Sequence, residues 1–296
     1  MTRYKGILLA GGNGTRLYPL TSVISKHLLP VYDKPMIYYP LSVLMLVGIR
    51  DILVITRPED EPMYSALLQD GAQWGINISY ANQPNPGGVA EGLLIGETFL
   101  DGSDCVYILG DNIFYGAGLS GFLRMALANN SGATCFTYSV SDPERYGVVE
   151  IDDACKIKKI VEKPAIPPSN YAVTGLYVFD KTAPAKAKKL TKSHRGELEI
   201  VDVLTSYLRD NQLTHQKFNR GVAWLDTGTP ESLLEASLFV ETIEKRQGYK
   251  IACLEEIALK NSWVDRDFVK QRAEQNTSNS LGQYLFKVIK NESFGH

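Results

Sequence analysis

The chain has 296 residues, of which 44% are hydrophobic and 22% charged, and its 31 Lys and Arg nearly balance 33 Asp and Glu. This composition is that of a globular protein with a large core, and it excludes collagen, a coiled coil, a disordered chain and a disulfide scaffold. The net charge of −2 gives no general attraction to nucleic acid or to an anionic membrane, so neither is expected as a partner.

The four cysteines and four histidines show none of the spacings that bind metal in known motifs. We expect reduced, buried cysteines and no structural zinc. No apolar stretch reaches the ~18 residues of a membrane span, and the apolar run near the start is too short for a signal peptide. The sequence therefore predicts a cytoplasmic protein.

Strand and helix patterns alternate through the first half of the chain. Short apolar runs bounded by Gly, Asp or Asn predict strands at residues 7–10, 52–56, 76–80 and 105–109. Helical patterns lie between them at residues 36–47, with Pro35 in the first turn, and at residues 59–68 and 89–99. This alternation predicts a Rossmann-like, doubly wound, mostly parallel α/β sheet whose ligands bind beyond the carboxyl ends of its strands.

The second half is richer in strands and ends in helices. Strands are predicted at residues 134–140, 148–151, 156–161, 173–179, 213–218 and 223–225, and helices at 181–190 and 198–208. Thr229 and Pro230 predict the N-cap and first turn of a helix, after which the chain is expected to be helical nearly to its end. A boundary near Gly248 gives an α/β domain of residues 1–247 and a helical extension of residues 248–296.

A glycine-rich loop follows the first predicted strand, at residues 11–14. Glycines remove Cβ atoms, so that successive backbone N–H groups can wrap an anion. The Walker A pattern is absent, and the dinucleotide pattern fails because Leu17 stands at its third glycine position. Arg16 and Lys26 add two cations, which favours a polyphosphate ligand over a plain turn with solvated charges.

Two aspartates, Asp111 and Asp226, each follow a predicted strand. Carboxylates in such a position can hold Mg²⁺ bound to phosphate oxygens, and two of them are enough. Taken singly, each such Asp is more often a turn residue or a helix cap. We predict that the pair forms one metal site despite its separation in sequence.

An acid–base pair, Glu162 and Lys163, ends another predicted strand and is followed by Pro164. Lys163 could bind a phosphate, and Glu162 could accept hydrogen bonds from sugar hydroxyls. A surface ion pair explains the segment equally well. No Ser, Cys or Thr stands in a nucleophile elbow with a histidine base, so covalent catalysis is not expected.

Together these motifs resemble those of the bacterial glucose-1-phosphate thymidylyltransferases (dTDP-glucose pyrophosphorylases), of the sugar nucleotidyltransferase superfamily. The resemblance spans nearly the whole chain, in residues 9–17 (LAGGNGTRL), 25–30 (SKHLLP), 109–112 (LGDN), 142–149 (DPERYGVV), 162–164 (EKP), 172–177 (AVTGLY), 195–200 (RGELEI), 224–228 (WLDTG) and 244–250 (EKRQGYK). It implies the nucleotidyltransferase fold and Mg²⁺-dependent transfer of dTMP from dTTP to α-D-glucose 1-phosphate, with release of pyrophosphate.

The resemblance also implies a role for each residue at a matching position. The nucleotide is assigned to Leu9, Gly11, Gly12, Asn13, Gly14, Thr15, Arg16, Gln83, Gly88 and Asp111, with Gln83 and Gly88 at the base. The glucosyl phosphate is assigned to Asn112, Tyr146, Gly147, Glu162, Lys163, Val173 and Glu197. The implied metal ligands are Asp111 and Asp226, and the implied catalytic set is Arg16, Lys26, Asp111, Lys163 and Asp226.

For the assembly and pathway, the resemblance implies a homotetramer and a feedback ligand such as dTDP-rhamnose near the C-terminal helices. The product, dTDP-glucose, would lead toward dTDP-deoxysugars of cell-surface polysaccharide. A uridylyl- or other nucleotidyltransferase and a non-catalytic sugar-nucleotide binder are the alternatives. The complete set of charged residues argues against the binder, which would not require it.

Two positions depart from the family pattern. His27 stands where the lysine motif often has Gln, and residues 87–92 read GGVAEG where the family often has DGLAQA. The amide of Gln83 is expected to offer a donor and an acceptor to the O4 and N3–H edge of thymine. Glu91 is expected to point away along its helix, since polyphosphate would repel it. We therefore expect dTTP as the best nucleotide, with UTP detectably used.

Overall fold

The computed structural model describes residues 4–152 and 156–290. Cys155 and the last six residues of the predicted helical extension lie outside the described residues. The elements of the first half are β1 (Tyr4–Ala10), β2 (Pro30–Val31), β3 (Lys34–Pro35), α1 (Tyr38–Leu46), β4 (Asp51–Thr56), α2 (Glu61–Leu68), β5 (Asn77–Asn82), α3 (Glu91–Ile95), α4 (Glu97–Leu100), β6 (Asp104–Leu109), β7 (Asn112–Gly116) and α5 (Leu119–Ala128).

The second half begins with four strands and ends with four helices. Its elements are β8 (Ala133–Ser139), β9 (Gly147–Ile151), β10 (Ile157–Glu162), β11 (Tyr171–Phe179), α6 (Ala183–Ala187), α7 (Ile200–Arg209), β12 (Leu213–Lys217), β13 (Val222–Asp226), α8 (Pro230–Gln247), α9 (Leu254–Lys260), α10 (Arg266–Gln275) and α11 (Ser280–Lys290). Single 3₁₀ turns lie at Thr15–Leu17, Lys26–Leu28, Ala72–Trp74 and Pro143–Arg145.

A nine-stranded sheet forms the centre of the molecule. Its main order is β10-β9-β11-β6-β1-β4-β5, with β8 pairing to β11 and β12 pairing to β8. The pairings make β1, β4, β5, β6, β8, β9 and β12 run in one direction and only β10 and β11 in the other. The predicted mostly parallel α/β fold is confirmed.

Both faces of the sheet are covered because its central strands are apolar on both sides. On one face, Leu8 and Ile108 pack in a cluster with Leu44 of α1. On the other, Ile7 and Tyr107 pack with a second cluster that includes α7. Burial on both faces explains why β1 and β6 read as continuous apolar runs in the sequence.

A second, two-stranded ribbon of β7 and β13 lies outside the main sheet, and the sequence pattern did not predict β7. In this antiparallel pair Asp226 lies opposite Asn112. The ribbon therefore carries the end of β13 back to the residues that follow β6.

Two predicted helices differ from those observed. Pro35 lies in β3 and not in a first helical turn, because the β2–β3 hairpin continues to Met36, whose N–H donates to the Leu29 carbonyl at 2.9 Å. The predicted helix at residues 89–99 is two short helices that meet at Gly96.

From Pro230 to residue 290 the only regular elements are helices, as predicted. Thr229 caps α8, with its side chain accepting from the Ser232 N–H, and Pro230 begins the helix. The apolar side of α9 (Leu254 and Ile257) packs into the core beside α1. A separate cluster joins α10 and α11. The division at residues 247 and 248 stays a prediction. Within residues 4–152 and 156–290, no helix combines the length and apolar character needed to cross a membrane.

Candidate active site

The predicted ligand-binding segments meet at one edge of the sheet. Strands β1, β4, β5 and β6 are parallel, so the chain leaves all four at their carboxyl ends on the same side. Leu9 is half-buried near the end of β1. The glycine-rich loop, Gln83 and Asp111 follow β1, β5 and β6 and therefore share this edge.

The glycine-rich loop is folded tightly but keeps an open side. Gly14 has φ +62°, and a Cβ built on it would lie 2.9 Å from Cβ of Lys26. Thr21 donates to the Gly14 carbonyl at 2.9 Å. The single turn that follows is anchored by the fully buried Leu17. Exposed residues of the loop are Gly12, Asn13, Thr15 and Arg16. The loop can thus present polar groups to a ligand.

Lys26 and Asp111 form an ion pair beneath this loop, with the lysine buried. Asp111 also accepts a hydrogen bond from the Asn112 amide at 2.8 Å. Burial by itself raises the pKa of Asp111, but the Lys26 charge and hydrogen bond outweigh it and hold the pKa well below its usual range. Asp111 is therefore ionised at neutral pH.

The ribbon brings Thr227, the residue after Asp226, against the backbone of Asp111. Thr227 donates to the Asp111 carbonyl through its N–H at 3.2 Å and through its hydroxyl at 2.8 Å. The Asp226 carboxylate accepts from the Tyr146 hydroxyl at 3.0 Å and from Arg145 at 3.3 Å. Two carboxylates from distant parts of the sequence are thus joined across one backbone junction.

Arg16 lies against the same junction. A Cβ built on Gly228 would lie 2.6 Å from a guanidinium nitrogen of Arg16 and 3.0 Å from the Asp226 carboxylate. The cation of the glycine-rich loop and the carboxylate after β13 therefore share the space beside Gly228. Four members of the implied catalytic set, Arg16, Lys26, Asp111 and Asp226, meet here.

Asp111 and Asp226 suit a magnesium ion by their chemistry. Mg²⁺ is commonly held by one or two carboxylates together with substrate phosphates and water. Asp111 is ionised, and cations for phosphate lie within the same cluster. In the described part of the chain, no group of three or more His, Cys, Asp or Glu is arranged to hold a metal ion.

The residues implied for the glucosyl phosphate converge from β9, β10 and β11. A Cβ built on Gly147 would lie 3.3 Å from the Glu162 carboxylate and 3.8 Å from Cβ of Val173. Lys163, at φ +42°, donates its N–H to the Tyr146 carbonyl at 3.0 Å. The turn after β10 is thereby tied to the same tyrosine that reaches Asp226.

Arg195 is a residue of this side that the sequence reasoning missed. It approaches three carboxylates, those of Glu162 at 3.5 Å, Glu197 at 2.9 Å and Glu199 at 3.5 Å. Burial raises the pKa of Glu162, against the opposing charges of Lys163 and Arg195. The motif RGELE indicates Arg195 as a candidate site residue, since it places one cation among acidic residues, but only Glu197 of this motif was assigned to the substrate. Arg145, beside Asp226, was missed in the same way.

Asn112, implied for the glucosyl phosphate, has a buried side chain in the structure. Its amide nitrogen donates to Asp111, and its amide oxygen accepts from the Trp224 indole at 2.6 Å and from the Gly175 N–H at 3.3 Å. These contacts orient Asp111 and lock the ribbon to β11. A contact with substrate stays a prediction.

In the loop implied for the nucleotide base, the prediction for Glu91 is wrong. Its carboxylate accepts from the Gln83 amide nitrogen at 2.6 Å and does not point away along the helix. Gly87 leaves the space for this contact, because a Cβ there would overlap the Glu91 carboxylate. The same Gln83 nitrogen donates to the Gly88 carbonyl at 3.1 Å. Both amide hydrogens are thus used within the protein, and only the amide oxygen is open to a base.

Gly88 has a conformation that only glycine adopts readily. Its φ is +99°, and a Cβ would collide with the backbone of Leu198. Leu198 also bonds the loop, donating to the Gly87 carbonyl at 2.7 Å and accepting from the Ala90 N–H at 3.0 Å. The loop implied for the base is therefore seated on the segment that leads into α7.

His27, at the other departure from the family pattern, is buried beneath the site. Its Nδ1 lies 3.1 Å from the Tyr64 hydroxyl, which in turn lies 2.8 Å from the Ser25 hydroxyl. A Cβ built on Gly110 would lie 2.8 Å from the His27 ring. Burial, assisted by the Lys26 charge, lowers the pKa of His27 to about 3. The ring is neutral at physiological pH and supports the residues around it.

Solved structures of other proteins have the same fold. A Bacillus anthracis protein described as a glucose-1-phosphate thymidylyltransferase, in complex with a sucrose, superposes with a TM-score of 0.74 at 41% identity, covering 80% of this chain and 94% of that one. A UDP-glucose pyrophosphorylase complexed with UDP-glucose superposes with a TM-score of 0.73 at 23% identity, covering 81% of this chain and 99% of that one.

Sequence comparison gives the family. The glucose-1-phosphate thymidylyltransferase of Xanthomonas campestris is 54% identical over 290 residues, 98% of each chain. That of Neisseria meningitidis is 54% identical (97% and 99% covered), and that of Mycobacterium tuberculosis 49% (96% and 99%). The family model for nucleotidyl transferases matches residues 5–243. The chain belongs to the nucleotidyl transferase family and, within it, to the group of glucose-1-phosphate thymidylyltransferases.

Proposed function

We propose that the protein catalyses the Mg²⁺-dependent transfer of dTMP from dTTP to α-D-glucose 1-phosphate, giving dTDP-glucose and pyrophosphate. Relatives named glucose-1-phosphate thymidylyltransferase, at 46–55% identity, support this reaction. The structural observation that carries it is the junction at which Thr227 bonds the Asp111 carbonyl, because this joins the two carboxylates to Lys26 and Arg16.

The reaction requires alignment and charge neutralisation more than proton transfer. The nucleophile is a phosphate oxygen of the sugar phosphate, whose second pKa is about 6, so it is largely ionised at neutral pH without a general base. Two anionic reactants must then be brought into line. The protein supplies fixed cations for this purpose on both sides of the carboxylate pair.

Each side of the site has its own task. Arg16 and Lys26 neutralise the departing pyrophosphate, and the open glycine-rich loop binds the triphosphate through backbone N–H groups. Lys163 binds the incoming phosphate, and Glu162 accepts hydrogen bonds from glucose hydroxyls. Mg²⁺, held by Asp111 and Asp226, would supply further neutralisation of the phosphate charge.

The pathway and assembly belong to the same proposal. The product would enter dTDP-deoxysugar synthesis in the cytoplasm, with dTDP-rhamnose as a feedback ligand, and the chain would form a homotetramer. The apolar residues of the C-terminal helices pack largely within the chain, whereas Leu234 and Leu238 of α8 are 60% and 51% exposed. We therefore place subunit contacts on α8 as well. Light scattering at micromolar concentration should give a tetramer, and a monomer would contradict this part.

A panel of four nucleoside triphosphates with glucose 1-phosphate tests the activity. We expect dTTP to be best and UTP to follow, since a methyl group in an apolar pocket discriminates by roughly 10–200-fold. Pyrophosphate release should require Mg²⁺ and stop with EDTA. A preference for UTP would establish the uridylyl alternative. Nucleotide binding without pyrophosphate release would establish the non-catalytic one.

A further inference from the structure

The contact between Glu91 and Gln83 fixes one orientation of the Gln83 amide. A side-chain amide has a donor end and an acceptor end of nearly equal size. A carboxylate can only accept, so the amide nitrogen must face Glu91, and it does so at 2.6 Å. The Gly88 carbonyl, also an acceptor, takes a second hydrogen bond from this nitrogen. Reversing the amide would place its oxygen against two acceptors.

The free end of the amide faces the nucleotide loop. A Cβ built on Gly11 would lie 2.6 Å from the Gln83 amide oxygen. Among the described residues, no polar side-chain atom is both sealed from solvent and without a partner. The amide oxygen therefore opens toward the space beside Gly11, as a lone hydrogen-bond acceptor.

We propose that Glu91 is a positioning residue that makes Gln83 accept a hydrogen bond from the base and so selects bases with a ring N–H. This inference rests on the proposed function and on Gln83 as the residue that meets the base. Thymine and uracil present N3–H and satisfy the acceptor. Cytosine presents an unprotonated N3, which would face the amide oxygen with no hydrogen between them, and a buried mismatch of this kind is costly.

The isosteric change Glu91→Gln tests the proposal. A glutamine at position 91 can either donate or accept, so the Gln83 amide becomes free to turn its nitrogen toward the base. We expect kcat/KM for dTTP to fall severalfold and that for dCTP to rise, so that the dTTP-to-dCTP ratio narrows by at least about tenfold. The dTTP-to-UTP ratio should stay unchanged, because both bases carry N3–H.

A matched control and a double-mutant cycle separate positioning from general damage. Glu97→Gln neutralises a carboxylate of the next helix, which pairs with Lys188, and should leave the dTTP-to-dCTP ratio at the wild-type value. In a Gln83→Leu background there is no amide to orient, so adding Glu91→Gln should not change the ratio further.

The outcomes distinguish a failure of the positioning role of Glu91 from a failure of the proposed function. If wild type prefers dTTP but Glu91→Gln lowers the activity on dTTP and dCTP equally, the positioning role is wrong and the proposed function stands. A ratio that narrows in Glu91→Gln and also within the Gln83→Leu background would mean that Glu91 acts without Gln83, which likewise overturns it. If wild type releases no pyrophosphate from dTTP, the proposed function and this inference fall together.

Discussion

The proposed nucleotide side and the proposed sugar side of the site are built by different means. On the nucleotide side, the backbone lies close to its neighbours at glycines, at Gly14 against the Lys26 side chain and at Gly88 against the Leu198 backbone. On the sugar side, the site is lined by charged side chains that form ion pairs, with Arg195 among three carboxylates and Lys163 next to Glu162. Substitutions should therefore act through shape on the first side and through charge on the second.

The carboxylate pair belongs to both sides. Asp111 follows β6 and pairs with Lys26, whereas Asp226 contacts Tyr146 and Arg145 of the sugar side. The junction is thus the one place in the described residues where we expect a charge change to affect both substrates.

The largest expected effect is at this junction. Asp111→Asn or Asp226→Asn keeps the side-chain shape but removes a charge needed for metal and phosphate, so pyrophosphate release should fall by roughly 10³-fold. The melting temperature should change little in Asp226→Asn, and it should fall in Asp111→Asn because the buried Lys26 loses its ion-pair partner. Asp210→Asn, at an exposed ion pair with Lys186, is the matched control and should keep wild-type turnover. Near-normal activity in either active-site variant would refute the shared site.

A shape change on the nucleotide side should come next. Gly88→Ala adds strain at φ +99° and a collision with the Leu198 backbone, so it should lower the free energy of unfolding by about 3 kcal/mol. Gly102→Ala, at φ +72° with nothing within 4 Å, should cost only about 1 kcal/mol. Urea denaturation measures both. Equal losses would show that the close approach to Leu198 is unimportant.

The sheet could be predicted from the sequence because buried parallel strands read as apolar runs with clear ends. β7 could not, since Asn112 directly follows the site aspartate and the strand exists only through pairing with β13. The orientation of Glu91 was missed for a related reason. Nothing local shows that Gln83, on the far side of the loop, will bring its amide nitrogen within 2.6 Å.

A smaller effect is expected from His27, through pH. Its pKa is about 3 in the folded protein and about 6.5 in the unfolded chain. Between these values only the unfolded chain binds the proton, so folding stability is lost as the pH falls below about 6.5. From pH 7 to pH 5 the loss is about 2 kcal/mol. His27→Gln should remove this part of the pH dependence.

Urea denaturation of each variant at pH 7 and at pH 5 gives the change in its free energy of unfolding between the two pH values. Any loss of stability that is independent of pH cancels in this difference. His194→Gln, at an exposed histidine, should behave as wild type. If His27→Gln loses as much stability as wild type between the two pH values, then His27 is not buried as a neutral ring.

The smallest effect concerns the base. Gln83→Ala removes the acceptor shared by thymine and uracil, so kcat/KM for dTTP and UTP should fall together by roughly tenfold. Asn85→Ala, at an exposed residue of the same loop, is the control. A loss confined to one nucleotide would show that Gln83 senses the 5-position or the ribose and not the N3–H edge.

The β7–β13 ribbon has a consequence for how the protein is made. The indole of Trp224 and the amide of Asn112 that it contacts are 112 residues apart in the chain. As the ribosome releases the chain from its N-terminus, β7 emerges long before β13 and has an unpaired edge during that time. The nascent chain can assemble the parallel strands β1, β4, β5 and β6 early, but the segments of the two aspartates come together only after residue 226 has left the exit tunnel. Catalytic competence would thus be acquired late in synthesis.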